Sequence, residues 1–327
     1  MSLGERLVVT LFGESHGPAV GALVEGMPAG TSFDEQVLID DMISRRPGSG
    51  LASRRKETDK VEILSGIHEG KTTGMPILLL IRNEDVRSKD YSFLPDKPRP
   101  GHVDHPIDVK TGGAADLRGG GSFSARLTAG LVAASSLARD LIPESWKIEA
   151  NVGALGGLEG EEGVELAEQA RMQRDSLGSR VDLTISGLPV GLGEPWFEGL
   201  EPALAQALMA IPAARAVEFG RGVEAGTMRG SQHNDAWGED MSLGEGADGA
   251  LGGMASGAPL HVRVTFKPPS GISLPQETFN QSSGMMEDLV IKGRHDPVIA
   301  PRARPVVEAV ARWVVADLAI KGGYIDG

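Results

Sequence analysis

Two turn sequences, Gly26-Met27-Pro28-Ala29-Gly30 and Gly187-Leu188-Pro189-Val190-Gly191, stand 161 residues apart in this chain. Each is followed by a helical pattern that stops near a proline, at Arg46-Pro47 and at Ile211-Pro212. A second pair, Gly74-Met75-Pro76-Ile77 and Gly257-Ala258-Pro259-Leu260, opens a strand-like run at an offset of 183 residues. His102-Val103-Asp104 and His295-Asp296 then each precede a long helical stretch. The order is kept while the offset grows, which is the trace that loop insertions leave in a duplicated unit of strand, helix, two strands and helix. Chance recurrence is the competing explanation, because 45 glycines and 20 prolines make up about a fifth of the 327 residues.

Duplication favours one pseudo-symmetric domain over residues 1–327, with halves of about 1–150 and 151–327, over two unrelated units. Strand-like runs rich in β-branched residues occur at Leu7 to Phe12, Val61 to Leu64, Pro76 to Ile81, Val181 to Ile185 and Pro259 to Phe266. Helical periodicity occurs at Asp34 to Ser44, Ser124 to Leu141, Leu200 to Ile211 and Pro305 to Ile320, with Leu127, Leu131, Ala134 and Leu137 on one stripe. The expected class is mixed α and β.

With 32 basic against 45 acidic residues the net charge is -13, which repels nucleic acid and anionic membrane wherever no local basic patch overrides it. Aromatics are 4% of the chain, too few for a base-stacking platform. The absence of cysteine excludes thiol catalysis and thiolate metal or iron-sulfur ligation, and it fits a reducing compartment. No stretch approaches 18 apolar residues, and Met1 to Arg6 lacks a basic region leading into an apolar run of signal length. A cytoplasmic location is expected.

Gly13-Glu14-Ser15-His16-Gly17 follows a strand and formally matches the G-x-S-x-G elbow of serine hydrolases. A true elbow enters a helix at once, whereas Pro18 and the alternating Ala19 to Val24 stretch predict a second strand. A histidine between glycines can instead bind an anion or deliver a proton. Arg45, Arg46, Arg54, Arg55 and Lys56 fall within twelve residues that contain no acid, interrupted by Pro47-Gly48-Ser49-Gly50. Such a local reversal of charge either forms a solvated face or focuses a polyanionic small molecule through guanidinium contacts.

Arg99-Pro100-Gly101-His102-Val103-Asp104-His105 holds two histidines around a carboxylate. Adjacent loop residues seldom converge on one metal ion, so no metal is assigned, and proton transfer by His102 suits this set equally well. Arg118-Gly119-Gly120-Gly121-Ser122-Phe123-Ser124-Ala125-Arg126 leads into a helix and can cradle a phosphorylated ligand, or simply start the helix with a serine cap. Gly244 to Gly249 matches G-x-G-x-x-G without the strand and helix that a dinucleotide site needs. Lys292-Gly293-Arg294-His295-Asp296-Pro297 sets cations, an imidazole and a carboxylate side by side, an environment that tunes a base or merely pairs surface ions.

Taken in order, these segments resemble the chorismate synthase family over nearly the whole chain. The resemblance also runs through Ser65-Gly66, Gly70-Lys71-Thr72-Thr73-Gly74, Asp90-Tyr91, Gly193-Glu194-Pro195, Val217-Glu218-Phe219-Gly220, Gly230-Ser231, Asn234-Asp235 and Lys267-Pro268. It implies an α+β fold of one domain, a helical layer between two mostly antiparallel sheets with pseudo-two-fold duplication, and a homotetramer. It implies a lyase that converts 5-enolpyruvylshikimate-3-phosphate to chorismate and phosphate by 1,4-anti elimination, the last common step of the shikimate pathway to aromatic amino acids. Reduced FMN would be required but not consumed, with NADPH only as a possible flavin reductant.

Roles then fall on matched positions. His16, supported by Ser15, would donate a proton to the leaving phosphate. His102 would protonate the reduced flavin, and Asp296 would act with it in removing the ring hydrogen. Arg45, Arg46 and Arg126 would hold substrate. Ser122, Phe123, Ser124, Gly252, Lys267, Pro268, Pro269, Ser270, Gly271 and Arg294 would contact FMN. The chain departs from many members in carrying Ser122 in place of arginine and Leu127 in place of glutamate, and in a short Ala247 to Gly253 stretch lacking a preceding asparagine. A serine esterase built on Ser15 and a non-catalytic phospho-ligand binder built on the arginine loop are the alternatives.

Overall fold

Eighteen consecutive residues at the N-terminus already set the sheet pattern: β2 (Val8–Gly13) turns tightly into β3 (Ala19–Glu25), with the short β1 (Ser2–Leu3) on its other edge. The computed structural model describes residues 1–45, 51, 58–84, 88–244, 248–292 and 295–326. Val20, Ala22 and Val24 of β3 are fully buried at the two-residue period of a strand. Gly26 and Gly30, both with φ near +85°, carry the chain to α1 (Glu35–Ser44), where Asp34 caps the helix by accepting from the Gln36 amide at 2.8 Å. Next come β4 (Val61–Ile63), a small hairpin of β5 (Ile67–His68) and β6 (Lys71–Thr72), and β7 (Ile77–Arg82). These build an antiparallel sheet in the order β1-β2-β3-β7-β4. Then α2 (Asp104–Thr111) leads to α3 (Thr128–Arg139).

The second half runs through β8 (Lys147–Leu155), α4 (Gly160–Met172), β9 (Ser179–Ser186), α5 (Leu200–Met209) and β10 (Ala214–Phe219). The one-turn α6 (Gly230–His233), the β11 (Ala250–Leu251) and β12 (Met254–Ala255) pair, and β13 (Leu260–Phe266) follow. A last hairpin, β14 (Gln276–Asn280) and β15 (Met285–Leu289), precedes α7 (Ala300–Lys321). The second sheet, also antiparallel, reads β8-β9-β13-β10. Strand for strand this matches β2-β3-β7-β4, and α1 and α5 follow the second strands while α3 and α7 close the two halves; α2 and α4 have no counterpart among the described residues. The paired turns match as well: φ is +84° at Gly26 and +78° at Gly187, and +78° at Gly74 and +91° at Gly257.

Residues 128–138 of α3 are all buried, as a helix apolar on every side must be. α3 packs on β3 and β7, α7 packs on β8 and β9, and the two helices pack on each other. One hydrophobic cluster runs from Leu7 to Ala319 through both sheets. The approach of α3 to β3 is close at Gly130, where a Cβ would lie 2.6 Å from the Gly21 carbonyl.

The expected helix from Ser124 begins as a 3-10 turn over Ala125–Leu127. The last helix starts at Ala300, five residues before the Pro305 at which the sequence places it. Pro305 falls in the second turn, where it costs one backbone bond without ending the helix. Leu127 is buried in the core. The discarded Gly244 to Gly249 motif lies partly outside the described residues.

Candidate active site

Gly13 ends β2 at φ +98°, and a Cβ there would lie 2.3 Å from the Ala19 carbonyl, so only glycine permits the sharp exit. The Gly17 amide donates to the Glu14 carbonyl at 3.0 Å, closing a tight turn with Ser15 and His16 at its tip. The chain then enters a strand, which removes the strand-to-helix context of a hydrolase elbow. The Ser15 amide donates to Gly121 at 3.1 Å, tying this turn to the triple glycine.

Gly119, Gly120 and Gly121 all have positive φ, and they separate two imidazoles. A Cβ on Gly119 would lie 2.6 Å from Ser15 Oγ and 3.0 Å from His16 Nε2, and one on Gly120 would lie 3.5 Å from His102 Nε2. The His16 ring meets Tyr91 edge-on at 4.9 Å, and Arg99 stacks on the same Tyr91 ring. His102 Nδ1 is 2.7 Å from Asp104 Oδ1, while Arg99 donates to both Asp104 oxygens at 2.7 and 2.8 Å. Burial pushes the Asp104 carboxyl up, but the hydrogen bonds from Arg99 and His102 outweigh it and hold the group well below the usual carboxylate range. The ionised carboxylate can only accept, so His102 donates through Nδ1 and its Nε2 is the nitrogen left to exchange a proton. His105 is exposed on the first turn of α2 and stands apart from this group.

Asp59 is buried between two guanidiniums. It pairs closely with Arg126 and lies 3.7 Å from Arg45 Nε. Arg45 also donates to Thr128 Oγ1 at 2.9 Å. Burial drives the Arg45 pKa down to about 10, with Asp59 opposing the fall and Arg126 and Arg302 adding to it. An anion placed between these cations would relieve that repulsion.

The opposite wall comes from the second half. Lys267 donates to the Gly101 carbonyl, and its amine is lowered by burial and by Arg215. Asp296 Oδ2 lies 2.9 Å from Arg302 Nε. The His295 ring sits over Gly271, where a Cβ would lie 3.0 Å from Nδ1. Both walls face one cavity of about 620 Å³, inside the range of about 300–1,000 Å³ for small-molecule sites. Among the described residues, seven lysines and arginines and three aspartates line it, in a chain whose net charge is -13.

Ser15, His16, Arg45, His102, Phe123, Ser124, Arg126, Lys267, Pro268, Pro269, Ser270, Gly271 and Asp296 all line this cavity. Ser122 is next to the wall without lining it, and Gly252 sits in the β11–β12 turn, away from it. Arg46 and Arg294 lie outside the described residues, as do Arg54, Arg55 and Lys56. Sequence reasoning missed Asp59 and Arg215, which stand just outside the basic cluster and the Val217 to Gly220 segment, and it gave Arg302 no role. Among the described residues no three His, Asp or Glu side chains are grouped to hold a metal, and no helix is long and apolar enough to cross a membrane.

Residues 7–320 match the family model for chorismate synthase. The chain is 44% identical to the chorismate synthase of Aeropyrum pernix, over 97% of this chain and 92% of that protein. It is 40% identical to that of Methanococcoides burtonii, over 99% and 97%. A crystal structure of chorismate synthase superposes with a TM-score of 0.74 at 26% identity, covering 98% of this chain and 93% of the other. Sequence and fold agree: the chain belongs to the chorismate synthase family of lyases, which make chorismate in the shikimate pathway.

Proposed function

We propose that this cavity converts 5-enolpyruvylshikimate-3-phosphate to chorismate and phosphate by 1,4-anti elimination, with reduced FMN present and not consumed. The observation that carries this reading is that, among the described residues, seven cationic side chains, the imidazoles of His16, His102 and His295, and Asp296 line a single cavity of about 620 Å³. A substrate with one phosphate and two carboxylates needs that charge, and two histidines and a carboxylate suffice to move one proton out and one in. The FMN fit rests on the Gly119–Gly120 surface free of Cβ atoms, the half-exposed Phe123 ring and the Lys267 to Gly271 segment, with Ser124. Ser122 and Gly252 carry no such contact within this chain. Reduced FMN, when bound, supplies the electron density that weakens the allylic carbon–oxygen bond.

The protein's own groups do the rest. Arg45 and Arg126 hold the anionic substrate between them, and His16, at the turn tip, protonates the departing phosphate oxygen. His102, fixed through Nδ1 by Asp104, holds or releases a proton at Nε2. Asp296, steadied by Arg302, accepts the ring hydrogen as a proton. Anaerobic difference spectroscopy tests the reading: substrate should alter the absorbance of protein-bound reduced FMN, and the change should vanish in Arg126→Ala. An unaltered spectrum at saturating substrate would place the two ligands in separate sites.

We further read the matching strand orders as internal duplication, giving one domain with the helical layer of α3 and α7 between two sheets. A homotetramer, a cytoplasmic location and NADPH as a reductant of the flavin belong to the same reading on family membership alone.

A further inference from the structure

Asn83, the residue after β7, lies outside the cavity lining, yet its side chain bonds Arg126, which lines it, and the Glu14 and Gly17 carbonyls on either side of Ser15 and His16, which line it too. Its backbone amide donates to Pro18 at 3.1 Å, extending the β3–β7 ladder by one step beyond the Ala19 and Arg82 pair. The side-chain Nδ2 donates to the Glu14 carbonyl at 3.0 Å and to the Gly17 carbonyl at 2.8 Å. Those two carbonyls bracket Ser15 and His16. The remaining atom, Oδ1, accepts from Arg126 Nε at 3.0 Å. Only one orientation of the amide satisfies all three bonds, because carbonyls cannot donate and a guanidinium cannot accept.

Arg126 is anchored elsewhere by Asp59 and by the Arg82 carbonyl at 3.2 Å. The His16 turn is held elsewhere by Gly121. The Asn83 side chain joins these two units. We infer that Asn83 is a positioning residue that couples the Arg126 anion contact to the placement of the His16 imidazole, so that an anion seated on Arg126 meets a correctly aimed proton donor. This rests on the reading of His16 as donor and Arg126 as anion contact. The physical requirement is strict, because a displacement of about 1 Å in a reacting group can cost roughly a hundredfold in rate.

Two substitutions separate the links. Asn83→Asp is isosteric and keeps an acceptor for Arg126 while replacing Nδ2, the donor of both other bonds, by an oxygen that repels the Glu14 and Gly17 carbonyls. Asn83→Ala removes all three bonds. The test measures kcat, substrate dissociation constant without turnover and melting temperature in both variants and in each combined with His16→Ala, and, in the two single variants and wild type, the rate at which diethyl pyrocarbonate modifies His16. The coupling predicts that Asn83→Asp loses about tenfold to a hundredfold in kcat with substrate affinity within about threefold of wild type, and that His16 modification changes rate. Asn83→Ala should lose kcat and substrate affinity together. In the His16→Ala background, Asn83→Asp should cost less than about threefold further, because the group it positions is gone. Full multiplicative losses in that background, or an unchanged His16 modification rate in Asn83→Asp, would overturn the inference. Wild-type phosphate release in the same assay separates this from the functional reading: if wild type releases none, that reading fails first, while the pyrocarbonate result still judges whether Asn83 positions His16.

Discussion

His102 Nδ1 and Arg99 both donate to Asp104 Oδ1 at 2.7 Å, so one carboxylate, 1% exposed, orients an imidazole and neutralises a guanidinium at once. The arrangement fixes which ring nitrogen of His102 is left for chemistry, and it makes Asp104 the structural root of that wall.

Replacing Asp104 by asparagine strips the counter-charge from buried Arg99 and should cost about 3–5 kcal/mol of stability at neutral pH. The sign with pH follows from the lowered carboxyl. Its contribution is complete above the unfolded value of about 3.9 and is lost as pH falls from there through the lower folded value. Melting curves from pH 2 to pH 7 should show a constant advantage of wild type over Asp104→Asn above about pH 5, shrinking below about pH 4. An advantage that stays constant to pH 2 would mean the carboxyl is not held low.

Gly119→Ala puts a Cβ 2.6 Å from Ser15 Oγ at a residue with φ +60°. The backbone strain should cost roughly 1–3 kcal/mol, and displacement of His16 should cut kcat by about a hundredfold. Circular dichroism and steady-state rates on the same sample check both. A soluble Gly119→Ala enzyme at full rate would show that the turn yields without moving His16.

Arg45 is a cation made unfavourable by burial and by its cationic neighbours, with Asp59 as partial relief. Arg45→Met, similar in length and uncharged, should leave the melting temperature within a few degrees of wild type. It should weaken substrate binding about tenfold to a hundredfold, the value of a charge-assisted hydrogen bond. Isothermal titration and thermal melts decide this. Unchanged affinity would place the substrate away from the Arg45–Asp59–Arg126 group.

The elements with strong local signals were legible before folding. Asp34 announced α1, β-branched runs announced β2, β7, β9 and β13, and the glycine-proline sequences announced the positive-φ turns at Gly26, Gly74, Gly187 and Gly257. β8 was not legible, because its alternation over Lys147 to Asn151 is broken by a register shift between Val152 and Ala154, beyond which Ala154 and Leu155 turn inward. α4 hid behind Gly160 and Gly163 and a buried face of glycine and alanines. In the site, residues within motifs, such as His16, His102 and Asp296, could be named. Asp59 and Asn83 could not, because their roles exist only once β4, β7 and the 3-10 turn before α3 bring distant segments together. Burial of a counter-ion between two arginines is a tertiary fact with no local pattern.

Asp296→Asn removes basicity with little change of shape. It should lower kcat by about 10² to 10⁴ while substrate and FMN still bind, and it should enlarge the isotope effect with substrate deuterated at the departing ring hydrogen. A full rate with an unaltered isotope effect would make this carboxylate structural.

The most direct measurement of the central claim is anaerobic phosphate release from 5-enolpyruvylshikimate-3-phosphate by the purified protein, followed with reduced FMN, with oxidised FMN and with none. Release of phosphate and chorismate in equal amounts only when reduced FMN is present is the predicted result; equal rates under all three conditions, or release without chorismate, would contradict it.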